Sequence, residues 1–439
     1  MNFDEFKITT EYKATLVSIV TPKLDGHTDM GETKASLAEL RELLRTLGLE
    51  AGQEFVQNKK DIDPATVLGH GKIEEIAEAA KADGSKLLVF DFELKPSQVR
   101  NIREITGLEV ADRVNIILEI FAQHAHTRDA KIQIEISRLE YLAPRLSTLW
   151  THLSRQKGST GVRSGEGELQ IELDRRMVRE KIELLKRQLE DISTSRNEQK
   201  KKRQDVAVTA ALVGYTNAGK SSLMNRLCKV HVLEENKLFA TLDSTYRTLN
   251  PDTKPPMILI DTVGFIQNLP NTLIAGFRTT LESAIDADLL IIVCDASDPH
   301  YKKHLDVTDK VLNELHIKDK ERLIVFNKKD LLNDPLKEKI LLKQYPNSFV
   351  ISSLNPQDID ALREHIINYF LAKQAPYDLF IPYAAGDATS KVLSQTNVLK
   401  SVNHETGIFY RIRAPDFIFN RLGLKKYILA PDDVKQYDK

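Results

Sequence analysis

Residues 214–221 read Gly-Tyr-Thr-Asn-Ala-Gly-Lys-Ser, the spacing G-x-x-x-x-G-K-S, directly behind an apolar run from Val206 to Val213. The run has the length and β-branched content of a buried parallel strand, and a helical pattern starts at once behind the motif. No other stretch limits the fold so tightly. Strand, glycine turn and helix N-terminus aim several backbone N–H groups at one point, which suits a phosphate chain. Gly214 and Gly219 let the backbone close in where a Cβ would clash. Lys220 is placed to reach the β- and γ-phosphates and the Ser221 hydroxyl to ligate Mg2+. Tyr215, Thr216, Asn217, Ala218 and Ser222 complete the nucleotide-binding turn. A chance match in a chain of 439 residues has a probability of about 1–2%, so an incidental glycine turn is a poor account of it.

Three further segments stand at expected strand ends. Asp261-Thr262-Val263-Gly264 follows the strand Met257–Ile260; Asp261 is expected to hold Mg2+ through water and the Gly264 amide to sense the γ-phosphate. Asn327-Lys328-Lys329-Asp330 follows the strand Leu323–Phe326. Asp330 can accept from both the ring N–H and the exocyclic amine of guanine, a pairing adenine cannot offer. Asn327 is expected to brace the phosphate loop and the Lys328 stem to cover one face of the base. Ser352, Ser353 and Leu354, next in order, supply backbone contacts to the guanine carbonyl.

Between phosphate loop and Asp261 lies Phe239-Ala240-Thr241-Leu242-Asp243-Ser244-Thr245. A switch threonine belongs here to complete the Mg2+ shell with Ser221 and Asp261, and Thr241 is the first choice, Thr245 the second. Lys220, Thr241 and Gly264 form the catalytic set. Phe265 stands where many GTPases carry the glutamine that orients the attacking water. A phenyl ring cannot do that. Hydrolysis is therefore expected to be slow alone and completed by the switch backbone, a nearby group such as Gln267, or a partner.

A net charge of −1 excludes a global polycation field, so any nucleic-acid contact must use local basic patches. The two cysteines, Cys228 and Cys294, show neither metal spacing nor a disulfide framework. The N-terminus lacks an apolar signal region and the longest apolar run, Leu289 to Cys294, is strand-sized. The expected location is cytoplasmic, at most partly peripheral at a membrane, with no membrane span.

In chain order, Ala14–Val20, Glu54–Gln57, Lys86–Phe90 and Leu108–Asp112 read as strands. The helical stretches Lys34–Leu47, Lys72–Ala82 and Pro96–Thr106 separate them, as in a small parallel α/β sheet. Gly69-His70-Gly71-Lys72 lacks the phosphate-loop spacing and reads as an ordinary turn. Leu139, Leu142, Leu146, Leu149 and Leu153 recur at three-four spacing, and so do Val178, Ile182, Leu185, Leu189 and Ile192. These are the two seams of an antiparallel coiled coil, with Pro144 kinking the first or marking its start. Between them Lys157 to Glu168 carries Gly158, Gly161, Gly165 and Gly167 beside Arg155, Lys157 and Arg163. From Arg155 to Arg203 fourteen Lys/Arg face nine Asp/Glu, a balance that fits a solvated face or a contact with phosphates. The strands Val206–Val213, Met257–Ile260, Leu289–Cys294, Leu323–Phe326 and Ser348–Ile351 predict a doubly wound sheet with its ligand at the strands' carboxyl ends. The tail Tyr377–Lys439 reads as α+β, with one half-buried strand at Ile408–Arg413.

With these residues in place the chain resembles the HflX GTPases of the Obg–HflX group. Asp63-Pro64-Ala65-Thr66…Gly69-His70-Gly71-Lys72, Asp112-Arg113 with Ile117-Leu118 and Ile120-Phe121-Ala122, and Leu139-Glu140-Tyr141-Leu142-Ala143-Pro144-Arg145-Leu146 resemble that family's motifs. So do both switch stretches. The resemblance implies a P-loop G domain with a doubly wound, mostly parallel sheet. A small α/β domain with a helical coiled-coil arm precedes it and a small α+β domain follows. The domains are expected at 1–127, 128–203, 204–372 and 373–439. It further implies a monomer that binds GTP and GDP, needs Mg2+, and contacts the large ribosomal subunit and its rRNA through the arm and its glycine loop. The ribosome is then expected to stimulate hydrolysis, and the protein to split or rescue stalled ribosomes. Arg163-Ser164-Gly165-Glu166-Gly167-Glu168-Leu169-Gln170 departs from the family's R-G-P-G-E-T-Q by an added serine and a lost proline, which points to a looser loop. Rival readings are a large-subunit assembly GTPase and a nucleotide-gated scaffold whose arm binds a protein. An ATP-driven RNA remodeller is disfavoured by Asn327 and Asp330.

Overall fold

Lys13–Val20 forms β1, buried on both faces from Ala14 onward, as a central parallel strand must be. The computed structural model describes residues 12–145, 164–204, 207–228, 239, 245–250, 253–267, 284–315, 317 and 320–437. They divide into two units, one running from the N-terminus to Ile192, the other holding most of the remainder. Among the described residues no helix is long and apolar enough to cross a membrane.

In the first unit β1 is followed by α1 (Met30–Leu47), β2 (Glu50–Asn58), α2 (His70–Ala82), β3 (Leu87–Phe90), α3 (Pro96–Thr106) and β4 (Glu109–Asp112). The four strands pair in parallel in the order β2-β1-β3-β4. Local chemistry sets the helix ends. The Asp29 carboxylate accepts from the Glu32 N–H at 2.8 Å to start α1, and Gly48 ends it at φ 80°. Pro96 opens α3. Gly69 precedes α2, whose first turn holds His70, Gly71 and Lys72, and Lys72 pairs with Glu75. Val17, Ile19, Leu88 and Phe90 of the sheet bury against Ile73, Ile76, Val99 and Ile102 of α2 and α3.

The carboxyl ends of β3 and β4 carry a buried ionic network. Asp91 accepts from the Arg113 guanidinium at 2.8 Å and faces His27 Nε2 at 3.0 Å. Asp112 accepts from the N–H groups of Leu94 and Asn115 and from the Tyr141 hydroxyl, at 2.9–3.0 Å. Arg145 stacks over the Tyr141 ring at 3.6 Å, donates to the Leu94 carbonyl at 2.7 Å and stands 3.5 Å from Asp112. Burial pushes the Asp112 carboxyl up, against the pull of Arg145 and its three donors. Tyr141, near the end of a helix, and Arg145, in the 3-10 turn behind it, thus fasten that helix to β4. Arg145→Ala leaves Asp112 buried without its cation and is expected to cost about 3–5 kcal/mol of unfolding free energy. Urea denaturation of the purified chain measures this, and a loss under about 1 kcal/mol would contradict the clamp.

That helix is α5 (Arg128–Leu142), reached through α4 (Arg113–His124). It packs on α6 (Ser164–Gln204), with Ile132, Ile136 and Leu139 against Val178 and Ile182. In its described part, α5, the first seam departs from the expected antiparallel pairing. Lys181 pairs with Glu135 and Lys186 with Glu140, so the register advances by five residues on both helices and they run parallel. Pro144 does not kink α5, which stops at Leu142 before a 3-10 turn, Ala143–Arg145, that holds the proline. Gly165 and Gly167, expected in a loop, lie in the first turns of α6. Leu146, Leu149, Leu153, Arg155, Lys157, Gly158, Gly161 and Arg163 lie outside the described residues.

The second unit contains β5 (Val208–Gly214), α7 (Lys220–Leu227), β6 (Thr245–Asn250), β7 (Met257–Asp261), β8 (Leu289–Asp295), α8 (Tyr301–Glu314), β9 (Arg322–Asn327), α9 (Pro335–Gln344), β10 (Ser348–Val350) and α10 (Pro356–Ala372). Their order is β10-β9-β8-β5-β7-β6. All neighbours are parallel except β6, which runs antiparallel to β7 and was not read from the sequence. β5 lies where the strand order reverses, so the turn behind it opens into the crevice at the switch point. A three-stranded antiparallel sheet, β11 (Ala375–Pro382), β13 (Gly407–Ala414) and β12 (Asn397–Asn403), completes the unit with α11 (Gly386–Gln395), α12 (Asp416–Arg421) and α13 (Pro431–Tyr437).

Candidate functional site

The phosphate loop is shaped by two close approaches. Gly214 has φ 145°, and a Cβ there would stand 2.2 Å from the Val293 carbonyl oxygen on β8. Gly219, at φ 90°, caps α7, and its Cβ would lie 2.3 Å from Asn327 Nδ2. The Lys220 ammonium folds back across the loop and donates to the carbonyls of Tyr215 and Gly214, at 2.8 and 3.2 Å. Burial pushes it down to about 8, and the Asp261 carboxylate pulls it back up. Such a lysine gains a partner of far higher charge when a polyphosphate enters.

Ser221 Oγ donates to Asp261 Oδ2 at 2.7 Å. The two expected metal ligands thus converge although 40 residues separate them. Among the described residues no cluster of three or more His, Cys, Asp or Glu gathers as a metal cage. One hydroxyl and one carboxylate, completed by water and a nucleotide's oxygens, would suit an octahedral cation such as Mg2+. Thr262 Oγ1 donates to the Leu212 carbonyl at 2.7 Å and ties the end of β7 to β5.

The base end is built from β9 and the turn after β10. Asn327, fully buried, donates from Nδ2 to the Ala218 carbonyl at 3.0 Å and accepts the Ser353 N–H at 3.0 Å. It therefore joins the phosphate loop to the turn at 352–354. Ser352 Oγ donates to Asp330 Oδ1 at 2.5 Å and accepts the Leu354 N–H at 3.2 Å. This sets the carboxylate's direction before any base arrives. Lys328, at φ 60°, pairs with Asp295 Oδ2 at 2.7 Å. Although burial works to raise it, Lys328 and Ser297 hold the Asp295 carboxyl below its usual range.

Sequence reasoning missed Asp295 and Ser297, and the only signal available was the position of Asp295 at the carboxyl end of a strand. It also missed Asp358, whose carboxylate takes the Ser352 N–H at 2.8 Å. Asp261 and Thr262 group with the second unit, whereas Val263 and Gly264 group with the first, as does Phe239. The Phe239 ring meets Phe121 of α4 edge-on at 4.6 Å. Thr245, the second choice for the switch threonine, lies in β6 as its first residue. Ala240 and Thr241 lie outside the described residues.

This geometry has close counterparts in sequence. A GTPase HflX of Gluconacetobacter diazotrophicus is 38% identical over 445 aligned residues, covering 93% of this chain and 96% of the relative. The chain belongs to the HflX family of GTPases. The GTPase HflX of Escherichia coli is 37% identical across 88% of this chain and 91% of its own length. Residues 34–122 match the family described as GTP-binding GTPase N-terminal, 124–203 the GTP-binding GTPase middle region, and 209–328 the 50S ribosome-binding GTPase family. A GTP-binding protein of the archaeon Sulfolobus solfataricus, solved with GDP, aligns at 24% identity over 81% of this chain and 98% of that one, with a TM-score of 0.42. As an HflX-family member the chain is a P-loop GTP hydrolase.

Proposed function

We propose that this HflX-family GTPase grips the large ribosomal subunit in its GTP state, lets go after hydrolysis, and thereby splits or rescues stalled ribosomes. The observation that carries the nucleotide half is the Ser353–Asn327–Ala218 bridge, which makes base recognition and phosphate loop one rigid piece. Asp330 accepts from the two N–H groups of guanine, Ser352 orients it, and Lys328 covers one face of the base. Lys220 leaves its two carbonyls for the β- and γ-phosphate oxygens and neutralises charge that grows in the transition state. Ser221 and Asp261, with Thr241 from the switch, would hold Mg2+, which supplies charge neutralisation between the β- and γ-phosphates. The Gly264 amide binds a γ-phosphate oxygen. Water attacks the γ-phosphorus, the bond to the bridging oxygen breaks, and GDP and phosphate leave.

Phe265, buried and apolar, supplies no hydrogen bond to that water. The free chain therefore turns over slowly, and the ribosome completes the site. The ribosomal half of the proposal rests on the 50S ribosome-binding family matched by residues 209–328 and on the basic, glycine-punctuated sequence at 155–168. Sedimentation through a sucrose gradient with a non-hydrolysable GTP analogue tests it. The protein is expected to travel with mature large subunits and whole ribosomes, and with GDP to remain at the top. Recovery only with precursor particles would make it an assembly factor, and recovery with no ribosomal fraction would end the ribosomal reading.

A further inference from the structure

The Ser352 hydroxyl donates to Asp330 Oδ1 at 2.5 Å, and this is the exposed carboxylate's one hydrogen bond among the described residues. Ser352 is itself held from outside the base-reading segments. Its amide, buried with the rest of the residue, donates to Asp358 Oδ2 at 2.8 Å. Asp358 stands third in α10, behind Pro356 and Gln357. An acid at that position ordinarily turns back to the N–H of the capping residue. Here the cap, Asn355, gives its N–H to the Ser352 carbonyl at 3.0 Å, and Asp358 reaches past it to the Ser352 amide. The start of α10 thus grips Ser352 by both its N–H and its carbonyl.

The peptide between Ile351 and Ser352 is tied at its two ends. Its carbonyl takes the Lys329 N–H at 3.0 Å, and its N–H goes to Asp358. Without Asp358 a buried N–H has no acceptor, a cost relieved when the peptide turns toward water. That turn shifts the Ser352 Cβ and takes the hydroxyl off Asp330. The Ser352 carbonyl and the Ser353 N–H keep their own partners, Asn355 and Asn327, so the segment stays folded and the loss falls on the hydroxyl's aim. A carboxylate free to swing still meets one N–H of a base, but meeting two at once needs a fixed direction. We infer that Asp358 is a positioning residue for guanine discrimination, acting through Ser352 on Asp330. The inference rests on the base-reading role proposed for Asp330 and adds to it a residue outside 327–330 and 352–354.

The test is calorimetric titration of the full chain with GDP and with inosine diphosphate (IDP), which keeps the ring N–H and the carbonyl but lacks the exocyclic amine. The natural chain is expected to prefer GDP by about ten- to a hundredfold, the worth of one hydrogen bond to a charged acceptor. Asp358→Ala is expected to shrink that ratio by about three- to tenfold, with IDP affinity changed by less than about twofold. A segment merely loosened would weaken both nucleotides alike, so an unchanged ratio overturns the inference. Asp358 also carries charge: Glu338, paired at 2.7 Å, and after it Asp358 push the Lys329 ammonium up. Asp358→Asn removes that charge but keeps an oxygen for the Ser352 N–H, and should return the ratio to within about twofold of the natural chain. If asparagine behaves as alanine does, the acceptor role falls. In a Ser352→Ala background Asp358→Ala should leave the ratio unchanged, and a full further loss would overturn the path through Ser352. Should the alanine variant fail to fold, Asp358→Ser, whose hydroxyl ends a bond short of the amide, reads the same ratio. Failure of the base reading itself looks different, since the natural chain would then not favour GDP over IDP.

Discussion

Lys220→Ala is expected to lower affinity for GTP and GDP by about a hundred- to ten-thousandfold. In the proposed site the ammonium would make charge-assisted hydrogen bonds to two phosphate groups, each contributing about 1.5–3 kcal/mol. Titration calorimetry measures the loss directly, and binding retained within tenfold would remove the lysine from the site. The same residue makes binding depend on pH. In the free protein its ammonium is pushed down to about 8, while the phosphates of a bound nucleotide raise it again. Below pH 8 the lysine is charged in both states and affinity is at its plateau. Above pH 8 binding must take up a proton, so affinity falls, by as much as about tenfold per pH unit until the pKa of the bound state is passed. Calorimetry at pH 8.5–9 in buffers of different ionisation enthalpy should register close to one proton taken up per GDP. A flat affinity from pH 7 to 10 would refute the buried, charge-poor setting of Lys220.

Asp330→Asn should weaken guanine nucleotides by about a hundred- to ten-thousandfold, because one oxygen that accepts from the base becomes a donor facing a donor. Ser352 Oγ, which donates to Asp330 Oδ1 in the natural chain, would hold the amide oxygen and turn the amide N–H groups toward the base. Xanthine carries a carbonyl where guanine carries its amine. The variant is therefore expected to prefer xanthine nucleotides, and competition of labelled GDP against XDP measures the switch. Unchanged preference for GDP would mean that Asp330 does not read the base.

Much of the site could be read before any coordinates because its elements are local. The loop from Gly214 to Ser221 needs two glycines at fixed spacing, a lysine and a hydroxyl, all within eight residues, and the structure adds only which backbone atoms crowd each glycine. The parallel strands declared themselves as unbroken apolar runs, and each motif acid stands at a carboxyl end as doubly wound sheets require. Antiparallel β6 did not, because its alternating, half-exposed Thr245–Asn250 is too polar and short to separate from a loop. The arm misled for a related reason. Three-four leucine spacing tells that a helix has an apolar stripe and says nothing about the direction of the partner that covers it.

Sequence alone determined the strand–loop–helix turn at 214–221, the place of Asp330 three residues behind Asn327 and the apolar side chain of Phe265 directly behind Gly264. Each of these depends on residue type and short spacing. Tertiary structure alone decided that α5 and α6 run parallel, that Arg145 is spent on Asp112, that Asp295 pairs with Lys328, and that His304 stacks on Tyr215. Those pairings join residues tens of positions apart, and only the packing of whole helices and strands brings such groups within a few ångströms of each other.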